Sequence, residues 1–486
     1  MSELSKLSPQ PLWDIFASIC AIPHPSFHEE ALATYIFSWA REKGFFAERD
    51  SVGNILIRKP ASIGLEQLKT VALQAHLDMV PQKNNDTIHD FTKDPIVPRV
   101  DGAWVKASNT TLGADNGIGL ASALAVLADE HVKHGPLEVL LTMTEEAGMH
   151  GAFGLQPNWL QAEILINTDS EQEGEIYAGC AGGITFNTTM AIEREAMPAE
   201  YQLLKITIKG LRGGHSGCDI HMGLGNASKI LARFLFSHAY ILDLRLVELK
   251  GGNLRNAIPR EAVATLAVSP NSLDKLKTAA QTYLNILKNE VNPLDEQVTI
   301  LLEEAKTTIQ PLKNNCRDRL LSLLNCTPNG VIRYSDTIND VVETSLSMGV
   351  VTLSENEASI SCLIRSLIES GKAYTVDMLT ALGELAGAQT SSHDNYPGWE
   401  PDPDSPIMAL VKETYHRLFD KMPNIQVIHA GLECGLFKKS YPNMDMVSIG
   451  PTITGPHSPD EQVHIGSVNL YWQLLTAVLK AIPAKE

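Results

Sequence analysis

The sequence predicts an α/β fold: a mixed sheet flanked by helices, interrupted by a large α+β insertion. Three observations predict it. Short apolar runs alternate with helical stretches, and several of the runs end in clustered polar side chains. From about residue 183 the texture changes to period-two strands, and the first pattern resumes only after residue 398. At 486 residues the chain also exceeds the size at which one core keeps growing, so at least two domains are expected. Residues 1–182 and 399–486 are assigned to the α/β domain. Residues 183–398 form the insertion, long enough to be a domain in itself.

The elements follow in order. Residues 9–20 and 26–43 read as amphipathic helices, the second opened by a capping box at Ser26-x-x-Glu29 and stopped at Gly44. Strands are expected at 52–58 and 69–77, the latter a continuous apolar run leading into His76 and Asp78. Residues 82–102 read as a surface loop. Gly113-Ala-Asp115-Asn116-Gly117 opens a long Ala/Leu-rich helix, and strands at 137–143 and 163–168 end in Glu145-Glu146 and Asp169. The insertion carries strand patterns at 183–191, 202–210, 241–250, 260–268, 341–353 and 357–366. Its helical stretches lie at 222–239, 272–290 and 371–386. The Pro-rich stretch after Tyr396 reads as the return linker. A helix at 405–420, a strand at 425–429, a loop at 431–435, a strand at 444–449 and a helix at 467–481 then complete the first domain.

Composition narrows the class. Thirty-nine basic against 57 acidic residues give a formal charge of −18, which disfavours nucleic acid and anionic membrane as partners. The N-terminus lacks a secretory pattern, and the longest apolar stretch, about 117–128, is too short to span a bilayer. Seven scattered cysteines without a Cys-x-x-Cys pair read as reduced thiols of a cytoplasmic protein.

His76 and Asp78 lie two apart at a strand end and project from one face, as a histidine ligand and its orienting carboxylate would. Asp115, Glu145/Glu146 and Asp169 sit at comparable strand ends or helix starts, and His457 lies in a turn before the last helix. Each has an ordinary reading: an N-cap for Asp115, a solvated pair for Glu145 and Glu146, a turn residue for Asp169, a packed ring for His457. Together they would crowd carboxylates on one sheet edge at a high desolvation cost, which bound divalent cations would remove. Two histidines with three carboxylates, one bridging, suit a pair of zinc-like ions. Of two adjacent glutamates, one can face the metal while the other serves as general acid/base for the attacking water. Glu433, flanked by glycines, is read as a receiver for a substrate ammonium group, with a charge at a helix N-terminus as the alternative.

In order and spacing, His76-Leu-Asp78-Met-Val, Gly113-Ala-Asp115-Asn116-Gly117, Glu145-Glu146, Asn167-Thr-Asp169-Ser-Glu and His457 resemble the motifs of the di-zinc aminoacylase/carboxypeptidase-G-like metallopeptidases. Gly213-Gly-His215-Ser-Gly and Asn253-Leu-Arg-Asn256-Ala-Ile-Pro259 resemble that family's lid-domain signatures. Length, insertion, Gly-Leu-Glu433-Cys-Gly and Gly-Pro-His457-Ser-Pro-Asp-Glu461 are most similar to its aminoacyl-histidine dipeptidase branch. The resemblance implies a catalytic α/β domain with an inserted α+β lid. It also implies two divalent ions, zinc first, with cobalt or manganese as alternatives. His76 and Asp169 would hold one ion, Glu146 and His457 the other, and Asp115 both. Asp78 would orient His76, Glu145 would be the general base toward a bridging hydroxide, and the Asp115–Asn116 peptide bond would be cis. His215 would donate to the developing oxyanion, with Asn256 and Arg365 on the substrate's C-terminal side. The implied substrate is a dipeptide, preferentially Xaa-His including β-alanyl-histidine (carnosine), and a homodimer is an allowed assembly. The alternatives are an amidohydrolase on N-acyl amino acids, a tripeptidase, and a non-catalytic metal- or peptide-binding protein.

Overall fold

A computed structural model of the chain describes all residues except 1–2, 85–86, 292, 337 and 486. It resolves into two compact units. The first comprises Met1–Cys180, Trp399–Val427 and Leu432–Glu486; the second comprises Ala181–Gly398 and Ile428–Gly431.

The first unit is built on an eight-stranded mixed sheet. Its order is Phe46–Arg49, Ile55–Lys59, Leu137–Thr142, Val71–His76, Ile164–Asn167, Asp445–Ser448, Glu175–Cys180, Asn424–Ile428. Val71–His76 runs parallel to both Leu137–Thr142 and Ile164–Asn167, and Asp445–Ser448 runs parallel to Ile164–Asn167. These four strands are apolar and largely buried along their length, as a sheet covered on both faces requires. Their shared direction brings the residues after His76, Thr142 and Asn167 to one edge. The antiparallel strands at the flanks make the sheet mixed.

The helix Ala114–Ala128 is apolar nearly all round and buried from Asn116 to Leu127, so it serves as a core helix. It belongs to one hydrophobic cluster with Trp13, Phe16, Leu73, Val139, Ile166, Val447 and Leu475. Gly113 starts it with φ +71, and a Cβ there would stand 2.9 Å from Met79 Sδ. Only glycine meets both demands cheaply. The Asp115–Asn116 peptide bond is cis.

The second unit is an antiparallel sheet with helices Ala227–His238, Leu273–Glu290, Asn314–Cys326 and Glu369–Ala386. Its strands run in the order Thr299–Glu304, Gln202–Lys209, Ala262–Val268, Arg245–Gly251, Val342–Leu353, Glu357–Ser366, Gly182–Ala191, Gln389–Tyr396.

The structure corrects three local readings. Ser26 and Glu29 do not form a capping box. Glu29 makes no side-chain cap bond to the helix Glu30–Glu42, and both side chains bond elsewhere. Residues 431–435 are not all loop, since Glu433 begins the helix Glu433–Ser440. The polar stretch 82–102 also contains a strand, Arg99–Asp101, part of a small separate sheet with Trp104–Lys106, Gln462–His464 and Ile453–Thr454.

Candidate metal centre

His76 is the last residue of its strand and is 2% exposed. Its Nδ1 lies 3.0 Å from the Asp78 carbonyl oxygen, an acceptor only, so the proton resides on Nδ1. In the neutral ring, Nε2 then presents a lone pair to Asp115 Oδ1 at 3.5 Å and Asp169 Oδ1 at 3.3 Å. Such a backbone-fixed tautomer is the arrangement in which histidine ligates a metal.

Asp115 sits at the head of the core helix, and its two oxygens face opposite ways. Oδ1 is directed to His76, and Oδ2 lies 3.3 Å from His457 Nε2. His457 Nε2 is also 3.0 Å from Glu146 Oε2. Ligand atoms of His76, Asp115 and Glu146 all fall within 4.8 Å of one another. Five side chains from five separate segments thus meet at the sheet edge, with Asp115 between two histidines.

Asp78 organises the opposite side. Its carboxylate accepts N–H bonds from Glu145 (2.8 Å) and Glu146 (3.1 Å) and the Ser26 hydroxyl at 2.7 Å. It therefore fixes the Glu145–Glu146 turn as well as standing beside His76. Thr144, at φ +51 in that turn, donates from Oγ1 to Glu29 Oε1 at 2.7 Å.

Burial and the mutual repulsion of the acids set the electrostatics of the cluster. Burial, followed by the neighbouring acids, raises Glu146 to about 7, Asp169 to about 6 and Glu171 to about 9. Burial likewise pushes Glu145 well above the carboxylate range. Asp115 goes the other way: bonds to His457 and His76 outweigh its burial and lower it. His76 is raised strongly, because Asp169, Asp115 and Asp78 overcome the burial that opposes its charge. Asp169 Oδ1 is buried without a hydrogen bond. Two divalent cations on N/O donors would supply the missing positive charge and partner that oxygen, so the residues present fit such ions.

Glu433 lies within the same unit and is 1% exposed. Its Oε2 accepts from Gln74 Nε2 (2.6 Å) and Thr142 Oγ1 (2.8 Å), while Oε1 is buried without a hydrogen bond. Burial, the leading cause, raises its carboxyl to about 8.

His215, Asn256 and Arg365 belong to the second unit. His215 lies on the two-residue strand Gly214–His215, paired with Ala257–Ile258, and the Asn256 carbonyl accepts from Ser216 N at 2.9 Å. The Asn256 residue is exposed. His215 Nδ1 accepts N–H bonds from Cys218 (2.9 Å) and Gly217 (3.3 Å), which leaves the proton of the neutral ring on Nε2. Arg365 Nη2 lies 3.4 Å from Nε2. Arg365 is 4% exposed. Its Nη1 donates to the Tyr396 hydroxyl at 2.9 Å, and its Nε is buried without a hydrogen bond.

Sequence reading missed several residues that shape the site. The spacing of Ser26 and Glu29 predicts a helix cap, and Gln74 sits inside an otherwise apolar strand with no local signal to single it out. Glu171 interacts with Asp115 and Asp169; its place two residues past Asp169 in the same polar run was the available signal.

The sequence model of peptidase family M20/M25/M40 matches residues 72–481. The cytosol non-specific dipeptidase of Escherichia coli (strain K12) is 68% identical over 485 residues, covering 100% of both chains. The crystal structure of an aminoacylhistidine dipeptidase from Vibrio alginolyticus aligns at TM-score 0.90 and 57% identity, over 100% of this chain and 99% of that one. A tripeptidase from Staphylococcus aureus aligns at TM-score 0.57 with 15% identity, over 98% of this chain and 99% of that one, a likeness of fold alone.

Proposed function

The chain belongs to peptidase family M20/M25/M40, and we propose that it hydrolyses dipeptides with two divalent ions, accepting Xaa-His substrates that include β-alanyl-histidine. One observation carries the reading: Asp115 turns one oxygen to His76 and the other to His457. In this reading His76 and Asp169 would hold one ion, Glu146 and His457 the second, and Asp115 would serve both. Zinc suits the donor set best, with cobalt or manganese as substitutes. When bound, such ions supply Lewis acidity and a more acidic water.

The chain's own residues do the rest. Asp78 holds the backbone of Glu145 and Glu146, so the two carboxyls keep fixed places. Glu145 takes a proton from the attacking water and delivers it to the leaving amine. His215 donates from Nε2 to the oxyanion, and the buried guanidinium of Arg365, with Asn256, receives the substrate carboxylate. Glu433 receives the substrate ammonium, a role supported by its buried, unbonded Oε1. Support for the Xaa-His preference comes from the name of the Vibrio alginolyticus protein. The name of the Escherichia coli protein favours a second reading, a dipeptidase of broad side-chain tolerance, and a cytosolic location.

A substrate panel tests both readings: Xaa-His, Xaa-Leu, tripeptides, N-acetyl dipeptides and N-acetyl amino acids, with zinc, cobalt or manganese present. Cleavage of dipeptides only, with Xaa-His fastest, is the expected result. Equal rates on Xaa-Leu would support the broad reading, and equal rates on N-acetyl dipeptides would remove Glu433 from its role. The Glu145→Ala variant is expected to retain its metals and lose kcat by about 10²–10⁴-fold. Near-normal kcat would exclude Glu145 as the base.

A further inference from the structure

Glu461 follows the His457 turn by four residues and is 2% exposed. Its Oε2 accepts N–H bonds from Leu112 at 2.7 Å and Gly113 at 3.0 Å, and its Oε1 accepts that of Ala114 at 2.7 Å. Those are the three residues immediately before Asp115. The turn behind Glu461 is closed upon itself. Glu461 N donates to the Ser458 carbonyl at 3.0 Å, and Ser458 Oγ donates to the Gly455 carbonyl at 2.8 Å. One carboxylate therefore fastens the segment bearing Asp115 to the turn bearing His457, through three charge-assisted bonds.

The two histidines depend on this fastening unequally. His76 is held by its strand register and by the Asp78 carbonyl, and its side chain is only 1% exposed. Asp169, its partner, is secured by its own N–H to Asn167 Oδ1 at 3.2 Å. The His457 side chain is 51% exposed and rises from a backbone at φ +59 in the turn that Glu461 anchors.

We propose that Glu461 is a positioning residue that sets the spacing of His457 and Asp115, and so governs retention of the ion on the Glu146–His457 side. The inference rests on the two-ion reading above. A glutamine at 461 keeps the size but presents one acceptor oxygen, and its NH₂ group faces a backbone donor. An aspartate keeps the charge but is one methylene short.

The test is a zinc titration of the full-length metal-free protein against a competing chelator, with zinc per chain counted after dialysis at fixed free zinc. Wild type is expected to hold two ions. E461Q is expected to bind one ion within about threefold of wild type and the other about 10–100-fold less well, the range found for groups that orient metal ligands. E461D is expected to shift the same ion in the same direction, and it carries the test if E461Q does not fold. A general loss of structure would weaken both ions alike, so parallel loss overturns the proposal, as does wild-type affinity for both ions in both variants. A wild type that holds fewer than two ions overturns the two-ion reading itself, and this inference with it.

Discussion

Ser26 and Glu29 stand three apart just ahead of a helix, and their spacing imitates a capping box. Their bonds run instead to Asp78, 52 positions along the chain, and to Thr144, 115 positions along. Local pattern cannot distinguish the two arrangements, because the competing partners are supplied only by the fold. The same limit hid the partners of Glu433, since Gln74 and Thr142 lie on two different strands. A double-mutant cycle separates the readings. Ser26→Ala and Asp78→Asn, whose side chains touch, are expected to show a coupling energy of about 1 kcal/mol in urea unfolding. Ser26→Ala and Glu29→Ala are expected to add within about 0.5 kcal/mol, since they serve separate partners. Strong coupling between Ser26 and Glu29 would restore the cap.

At the scale of elements, the strands that carry the site were legible because they are short, apolar and end in polar clusters. Their ends at His76, Thr142 and Asn167 agree with the sequence reading to within a residue or so. The strand Gln389–Tyr396 was not legible. It reads Gln-Thr-Ser-Ser-His-Asp-Asn-Tyr, lies at a sheet edge and is largely exposed, so it carries no apolar alternation to detect. The expected strand at 425–429 is present as Asn424–Ile428, but nothing in the sequence marks Ile428–Gly431, with His429, as part of the second unit. The His429 ring is 8% exposed, and its Nε2 lies 2.7 Å from Ser345 Oγ. Burial, then the nearby Arg365 charge, lowers its pKa to about 3. A histidine depressed in the folded state leaves stability intact above its unfolded pKa of about 6.5 and costs stability as pH falls from there toward 3. Between pH 7 and pH 5 this group alone is expected to remove about 2 kcal/mol. Urea titrations at both pH values should show that loss in wild type and a smaller one in His429→Gln. Equal losses in the two proteins would contradict the assignment.

At the scale of the whole molecule, the parallel strands of the first unit turn residues distant in sequence into one acidic cluster. An acidic cluster this deeply buried is costly unless cations occupy it. The formal charge of −18 adds to that cost and disfavours any polyanionic partner. The order of the motifs was enough to identify the family, because each lies at a strand end, a helix start or a turn that local pattern can locate. The place of Asp115 between His76 and His457 was implied by the resemblance but not by the residues alone; it depends on where two strand ends, a helix start and a distant turn converge. The most direct measurement is an anomalous difference map from crystals of the zinc-loaded protein. Two peaks are predicted, one on each side of Asp115, each about 2.0–2.2 Å from a different carboxylate oxygen. A single peak, or an Asp115 in contact with only one ion, would contradict the account.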